Sequence, residues 1–123
     1  KHKAVEVLTR LDLLDVADRV ATELPLLAQR KIEVGRALMA EPEVIMFDEP
    51  SAGATVSERD QLADLIAELR DAGTTVMVIE HNVPFVMKVS DQIVVLDFGR
   101  VVAVGTPDEV ANDAIVQEIY LGV

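Results

Sequence analysis

The fold is decided by the residues Val44-Ile45-Met46-Phe47-Asp48-Glu49-Pro50. Four consecutive apolar residues predict a short strand over 44–47 that is buried on both faces. Two adjacent carboxylates follow, and then a proline, which neither continues a sheet nor donates a backbone hydrogen bond. Ligand sites in open α/β sheets lie beyond the carboxyl ends of the strands. Asp48 and Glu49 therefore stand either at a reactive position or in an ordinary acidic turn.

A second buried strand is predicted over 75–79, and His81 follows it closely. The stretch between the two strands has apolar residues at helical spacing: Leu62, Leu65, Ile66 and Leu69. Strand, helix and strand make a βαβ unit, in which the strands are parallel and the crossover is right-handed. Both strands then end at one edge of the sheet, so we expect His81 to converge with Asp48 and Glu49.

The remaining segments predict helices and one hairpin, which together place the chain in the α/β class. They are an amphipathic helix over 3–14, a helix over about 28–40, a short helix over 83–89, a hairpin with strands 92–96 and 101–104, and a helix from Thr106 that Asn112-Asp113 interrupts. The helix between the two parallel strands is expected to begin at a capping box, with either Ser57 or Thr55 as the cap.

Composition narrows the class of protein. The 123 residues suffice for one domain, and the net charge of −11 argues against a nucleic-acid binder, which needs a basic surface to neutralise phosphates. No cysteine is present, which fits a reducing compartment. No apolar run reaches the roughly 18 residues of a membrane span, and the first residues lead into no signal-peptide core, so a soluble chain is expected.

Two carboxylates and a histidine at one sheet edge suit a metal-assisted hydrolysis. One carboxylate would hold a hydrated Mg²⁺, the other would orient a water, and His81 would contact the transferred group. The alternative for His81 is a strand-end histidine that only caps or hydrogen-bonds. No glycine begins the phosphate-binding pattern G-x-x-x-x-G-K-[ST]. If the chain is part of a nucleotide enzyme, the segment that grips the phosphates is expected outside it.

Several segments carry a family resemblance across nearly the whole chain. They are RALMAEP at 36–42, VIMFDEPSAG at 44–53, TTVMVIEHN at 74–82, VVLDFGRVVAVGTPDEV at 94–110 and IYLGV at 119–123. Their order resembles the C-terminal half of an ABC-transporter ATP-binding subunit. The tail resembles the branch that serves branched-chain amino-acid importers.

The resemblance implies a partial P-loop NTPase (ABC ATPase) fold. Such a fold has parallel strands with crossover helices, a C-terminal β-hairpin and terminal helices. Residues 1–40 would form the helical part with the signature segment, residues 41–105 the core from Walker B to the hairpin, and residues 106–123 the C-terminal helical tail.

The resemblance also implies a role for each candidate residue. Asp48 would be the Walker B aspartate that coordinates Mg²⁺ through water, and Glu49 the general base that polarises the attacking water. His81 would be the switch histidine that contacts the γ-phosphate of ATP. Ser51-Ala52-Gly53 would form the D-loop that faces a second ATPase subunit. These residue types suit phosphoryl transfer, which depends on positioning and charge neutralisation.

The signature segment departs from the family. The family reads L-S-G-G-Q or a near variant, whereas this chain has Leu24-Pro25-Leu26-Leu27-Ala28-Gln29. Leu26 and Leu27 lack the open backbone of the two glycines, and Pro25 removes a hydroxyl and an N–H. The segment is therefore either a degenerate signature or a weak contributor to a partner's site. Ala54, where the family usually has leucine, is a milder departure.

Three functions compete. The first is the ATP-hydrolysing subunit of an importer for branched-chain amino acids or related solutes. Its partners would be a second ATPase subunit (the same or a different chain) and transmembrane permease subunits, and no nucleic acid is expected. It would lie in the cytoplasm, at the inner face of the membrane. The 123 residues by themselves are then expected to be inactive and to bind ATP and Mg²⁺ weakly. The second is a non-hydrolysing dimerisation or regulatory module, and the third is an ABC ATPase of DNA repair or translation. The transported solute does not follow from this sequence, because specificity resides in the permease and in any solute-binding protein.

Overall fold

The computed structural model describes residues 2–122, apart from the side chain of Leu121. The chain forms two compact units, one ending at Ile79 and the other beginning at Glu80. The first unit contains α1 (His2–Arg10), α2 (Leu26–Leu38), β1 (Val44–Asp48), α3 (Val56–Asp71) and β2 (Thr75–Ile79), with 3₁₀ turns at Leu14–Val16 and Ala21–Glu23.

The βαβ unit predicted from the sequence is confirmed. β1 and β2 pair in parallel, with Val44 opposite Thr75 and Asp48 opposite Ile79. The crossover helix α3 begins at Thr55, whose hydroxyl accepts a hydrogen bond from the Glu58 amide while the Glu58 carboxylate accepts one from the Thr55 amide at 2.7 Å. Thr55 and not Ser57 is therefore the cap, because this reciprocal pair satisfies two amides that the first turn leaves without helical partners.

One face of the parallel sheet packs on the core of the first unit. The buried residues of this core are Leu11, Leu13, Val34, Leu38, Ile45, Leu65 and Leu69. On the other face Met46 is 64 % exposed and Met77 is 51 % exposed. The prediction that β1 is buried on both faces is wrong for the residues described, and β2, predicted to be buried, likewise exposes one face, because the helices of this unit cover only the face that carries Ile45.

α1 is shorter than the predicted helix over 3–14. It ends at Arg10, and Asp12 adopts a left-handed φ of 56° that no helix continues. The turn redirects the chain so that Leu11 and Leu13 are buried, whereas Leu14, the last residue of the predicted helix, is half exposed.

α2 begins two residues before the predicted start. Pro25 is its N-cap residue with φ −55°, a value that suits the entry into a helix. The buried positions are Val34, Gly35 and Leu38, whereas Met39 is partly exposed. A Cβ on Gly35 would lie 2.9 Å from Leu11 Cδ1, so the absence of a side chain allows this close approach.

The second unit begins with a short helix and continues into a hairpin. Its elements are α4 (Val83–Val89), β3 (Ile93–Asp97), β4 (Arg100–Gly105), α5 (Pro107–Ala111) and α6 (Ala114–Val116), which runs into a π-helical turn over Gln117–Leu121. β3 and β4 pair antiparallel, and Phe98 and Gly99 between them both have positive φ, the geometry of a two-residue I′ turn. The predicted hairpin and the interruption at Asn112-Asp113 are confirmed.

Candidate functional site

The adjacent carboxylates lie where the chain leaves β1. Asp48 is the last residue of the strand, and both Asp48 and Glu49 are exposed. Glu49 adopts a left-handed φ of 49°, and its amide donates a 2.8 Å hydrogen bond to the carbonyl of Ile79. This bond extends the pairing with β2 by one residue and holds the backbone as it turns away. The strained conformation is therefore held by the parallel sheet itself.

The segment after the acidic pair is a tight turn whose first residues are buried. Pro50 and Ser51 are buried, and Ser51 is only 5 % exposed. The Ala52 amide donates to the carbonyl of Glu49, and the Ala54 amide donates to the carbonyl of Ser51, each at 3.1 Å. The first bond anchors the proposed D-loop to Glu49, and the second closes the turn on itself.

Gly53 brings the turn close to the signature segment. Its φ of 73° lies in the region that favours glycine, and a Cβ on Gly53 would lie 3.7 Å from Leu26 Cδ2. Two segments that the sequence places far apart, the proposed D-loop and the first turn of α2, are therefore neighbours in this unit.

The signature segment forms the start of α2. Leu24 is buried, and the Gln29 side chain donates through Nε2 to the Leu24 carbonyl at 2.8 Å. The Gln29 amide also donates to the Pro25 carbonyl at 3.1 Å. Pro25 has no side-chain oxygen to cap the helix. The Gln29 side chain thus links the first turn of α2 to Leu24. The family's signature has a serine at the position of Pro25, so the hydroxyl of that serine is missing here.

His81 lies in the second unit, in the turn that precedes α4. Its side chain is exposed, and its amide donates to the Glu80 carboxylate at 3.2 Å. The same carboxylate accepts from the Asn82 amide, and Asn82 Oδ1 caps α4 by accepting from the Phe85 amide at 3.0 Å. The sequence reasoning missed Glu80 and Asn82 as the residues that shape this turn. Asn82 carried a usable signal, because asparagine two residues before a proline is typical of a helix start.

The sheet relates the two strand ends, but the meeting of His81 with the acidic pair stays a prediction. Within the first unit Asp48 is the register partner of Ile79, so β1 and β2 end at the same edge. The chain continues from Ile79 through Glu80 to His81.

The acidic pair suits a hydrated magnesium ion. Over residues 2–122 no group of three or more histidine, aspartate and glutamate side chains is arranged to hold a metal. Mg²⁺ usually keeps several waters and takes one or two carboxylates together with substrate phosphates. The exposed carboxylate of Asp48 at a sheet edge has the chemistry of such a ligand, and its role in binding Mg²⁺ stays a prediction.

Away from this edge, Glu41 precedes β1 and pairs with Lys3 of α1 at 2.6 Å. The hydrogen bond and the charge of Lys3 lower the pKa of Glu41.

In the described part of the chain, no helix is both long enough and apolar enough to span a membrane.

The comparisons with known proteins agree with one another. A family described as branched-chain amino acid ATP-binding cassette transporter matches residues 100–123. The high-affinity branched-chain amino acid transport ATP-binding protein LivG of Salmonella typhimurium is 42 % identical over 121 residues, which cover 98 % of this chain and 48 % of LivG. The corresponding protein BraF of Pseudomonas aeruginosa is 40 % identical over 120 residues, which cover 97 % of this chain and 47 % of BraF.

A solved structure shows the same fold. The crystal structure of an ATP-binding cassette of an ABC transporter in its ADP conformation matches with a TM-score of 0.90 and 34 % identity, over 99 % of this chain and 50 % of that one. The partial ABC ATPase fold expected from the sequence is thereby confirmed. The chain spans about half the length of the curated relatives it matches. In sequence and in fold it corresponds to the C-terminal half of an ABC-transporter ATP-binding subunit of the branched-chain amino-acid type.

Proposed function

We propose that the chain supplies the water-activating part of the ATP site in the ATPase subunit of an ABC importer for branched-chain amino acids or related solutes. The observation that carries the proposal is the position of Asp48 and Glu49 at the carboxyl edge of a parallel sheet, with Glu49 held in a strained backbone conformation. Strained residues cluster at functional sites because the surrounding structure must hold them there. The relatives' names and the shared fold support the same function.

Glu49 is the proposed general base. Its carboxylate is exposed, and its backbone is anchored by the bond from its amide to Ile79. An anchored backbone carrying an accessible carboxylate suits a group that must accept a proton from a water at a fixed place. His81 is proposed to contact the γ-phosphate of ATP, from the turn that Glu80 and Asn82 shape.

Asp48 is the proposed ligand of Mg²⁺, through water. When bound, the ion would neutralise charge on the phosphates of ATP. Asp48 contributes an exposed carboxylate at the end of β1, which leaves room for the waters that Mg²⁺ retains.

A second ATPase subunit, the same or a different chain, is the proposed partner at the turn Ser51-Ala52-Gly53. This turn adjoins the first turn of α2, as the 3.7 Å approach at Gly53 shows. Both segments are proposed to face that subunit. Permease subunits in the membrane are the other proposed partners, which places the protein in the cytoplasm at the inner face of the membrane.

The test is the full-length subunit carrying Glu49→Gln. A general base typically contributes 10²–10⁴-fold to a rate, so ATP hydrolysis should fall by about 10²-fold or more. ATP binding should persist, because the carboxylate acts on the water. Glu43→Gln is the matched control, since Glu43 is an exposed glutamate before the other end of β1 and should leave the rate unchanged. A Glu49→Gln protein that hydrolyses ATP as fast as its parent refutes the assignment.

The start of α2 favours a second candidate function, a non-hydrolysing dimerisation or regulatory module. Pro25 provides no capping oxygen, and Leu26 and Leu27 carry side chains at two positions where the family has glycines. Equilibrium binding of ATP to the full-length parent protein distinguishes the two functions. Absence of nucleotide binding would support the regulatory module and exclude the ATPase.

A further inference from the structure

The carboxylate of Glu80 holds the backbone on both sides of His81. Its Oε2 accepts a hydrogen bond from the His81 amide at 3.2 Å and another from the Asn82 amide at 3.4 Å. These two amides belong to the two peptide groups that flank the Cα of His81. Because each peptide group is planar, holding both of them restricts φ and ψ of His81 together. One half-buried carboxylate thus restrains the direction in which the exposed imidazole leaves the chain.

This contact is separate from the capping of α4. The cap is supplied by Asn82, whose Oδ1 accepts a hydrogen bond from the Phe85 amide at 3.0 Å. The carbonyl of Asn82 also accepts a bond from the Val86 amide at 3.0 Å, inside the helix. The bonds to Glu80 lie before the helix, so they act on the three residues that link β2 to α4.

A histidine in such a link needs a fixed backbone if it is to meet a phosphate at a fixed place. A misplacement of about 1 Å in a site can lower a rate by about 10²-fold. Hydrogen bonds from an amide to an ionised carboxylate are roughly twice as strong as those between neutral groups. Glu80 is therefore well suited to restrain this link.

We infer that Glu80 is a positioning residue for His81 and holds it in place for the γ-phosphate of ATP. The inference rests on the proposed function, because that function gives His81 its contact with ATP. Glu80 acts through the backbone of His81 and needs no contact of its own with the nucleotide.

ATP hydrolysis by the full-length subunit tests the inference. Glu80→Ala removes both hydrogen bonds and should lower the rate by about tenfold or more. Glu80→Gln keeps an acceptor oxygen of the same reach and should stay within about threefold of the parent. Added to His81→Ala, Glu80→Ala should cause no further loss, because no imidazole is left to position. The affinity for ADP should stay that of the parent in Glu80→Ala, because ADP has no γ-phosphate.

Glu109→Ala is the matched control in the same unit. The Glu109 carboxylate accepts a hydrogen bond from the Thr106 amide at 2.8 Å, in the capping box of α5. Its loss removes a comparable bond and should leave the rate unchanged. An unchanged rate in Glu80→Ala, an equal loss in Glu109→Ala, or a full further loss when Glu80→Ala is added to His81→Ala overturns the inference.

Amide hydrogen exchange, followed by NMR, separates this inference from the proposed function. The His81 and Asn82 amides should exchange about tenfold faster in Glu80→Ala than in the parent, because their shared acceptor is gone. Faster exchange in a protein whose hydrolysis is indifferent to Glu49→Gln would support the hold on His81 and refute the catalytic assignment. Unchanged exchange in a protein that loses activity on Glu49→Gln would overturn the inference and leave the proposed function standing.

Discussion

Replacing Glu49 by alanine and by glycine separates its backbone conformation from its carboxylate. Both variants lack the carboxylate, so the difference between them reports the left-handed φ of 49°. A non-glycine residue in that region costs about 1–2 kcal/mol. Glycine in turn loses about 0.4–1 kcal/mol through the greater freedom of its unfolded chain. The Glu49→Gly variant should therefore be more stable than Glu49→Ala by about 0.8 kcal/mol, the difference between the middles of the two ranges.

The same pair of substitutions at Glu68 provides a control of opposite sign. Glu68 is exposed within α3, where its backbone is helical. Glycine in an exposed helix interior is about 1 kcal/mol less favourable than alanine. Glu68→Gly should therefore be the less stable of its pair, by about that amount.

Urea unfolding of the full-length subunit measures both differences. The transition midpoints should shift in opposite directions at the two positions while the dependence on urea concentration stays the same. ATP hydrolysis should be lost equally in both Glu49 variants, since neither retains a base. If alanine is the more stable residue at both positions, Glu49 is not strained and the reasoning is refuted.

Three further predictions concern packing, capping and charge. Leu69→Ala removes a fully buried side chain from the core and should lower the free energy of unfolding by about 2–5 kcal/mol. The control Leu14→Ala, at a half-exposed position, should change it by less than about 0.5 kcal/mol. Equal losses for the two variants in urea titrations would contradict the burial of Leu69. Thr55→Ala removes the cap of α3 and should lower the free energy of unfolding by about 1 kcal/mol. An unchanged midpoint of the urea transition would show that the capping box of Thr55 and Glu58 does not stabilise the protein. Lys3→Ala should raise the pKa of Glu41 toward its ordinary value in an NMR titration. Because that pKa is lowered in the folded protein, the pair stabilises it above the ordinary glutamate pKa, and this contribution disappears as the pH falls through the lowered pKa.

Elements with strong local signals could be predicted from the sequence. The four residues Asp97-Phe98-Gly99-Arg100 indicated a hairpin turn, and the structure has two central residues with positive φ. Thr106 followed by Pro107 indicated a helix start, and Thr106 is a cap paired with Glu109. These features depend on neighbouring residues, so a short stretch of sequence contains their cause.

The residue at which a helix begins was harder to predict where two nearby positions both suit a helix start. Ser57 and Thr55 both fitted a capping pattern, and the structure uses Thr55, whose hydroxyl and amide both pair with Glu58. The helix around the signature segment was expected to begin near Ala28 but begins at Leu26, with the Gln29 side chain closing the first turn on Leu24. The choice depends on which hydrogen bonds the rest of the unit allows.

By itself, the sequence determined the βαβ unit and the place of Asp48 and Glu49 at the end of β1, because hydrophobic periodicity and helix-cap chemistry are local. It also carried the family resemblance that the comparisons bear out. Only the tertiary structure decided that one face of the sheet is covered and that Met46 and Met77 are exposed on the other, since burial depends on which layers pack against a strand. The left-handed turn at Glu49 was likewise decided by its bond to Ile79, a residue from a strand that only folding brings alongside.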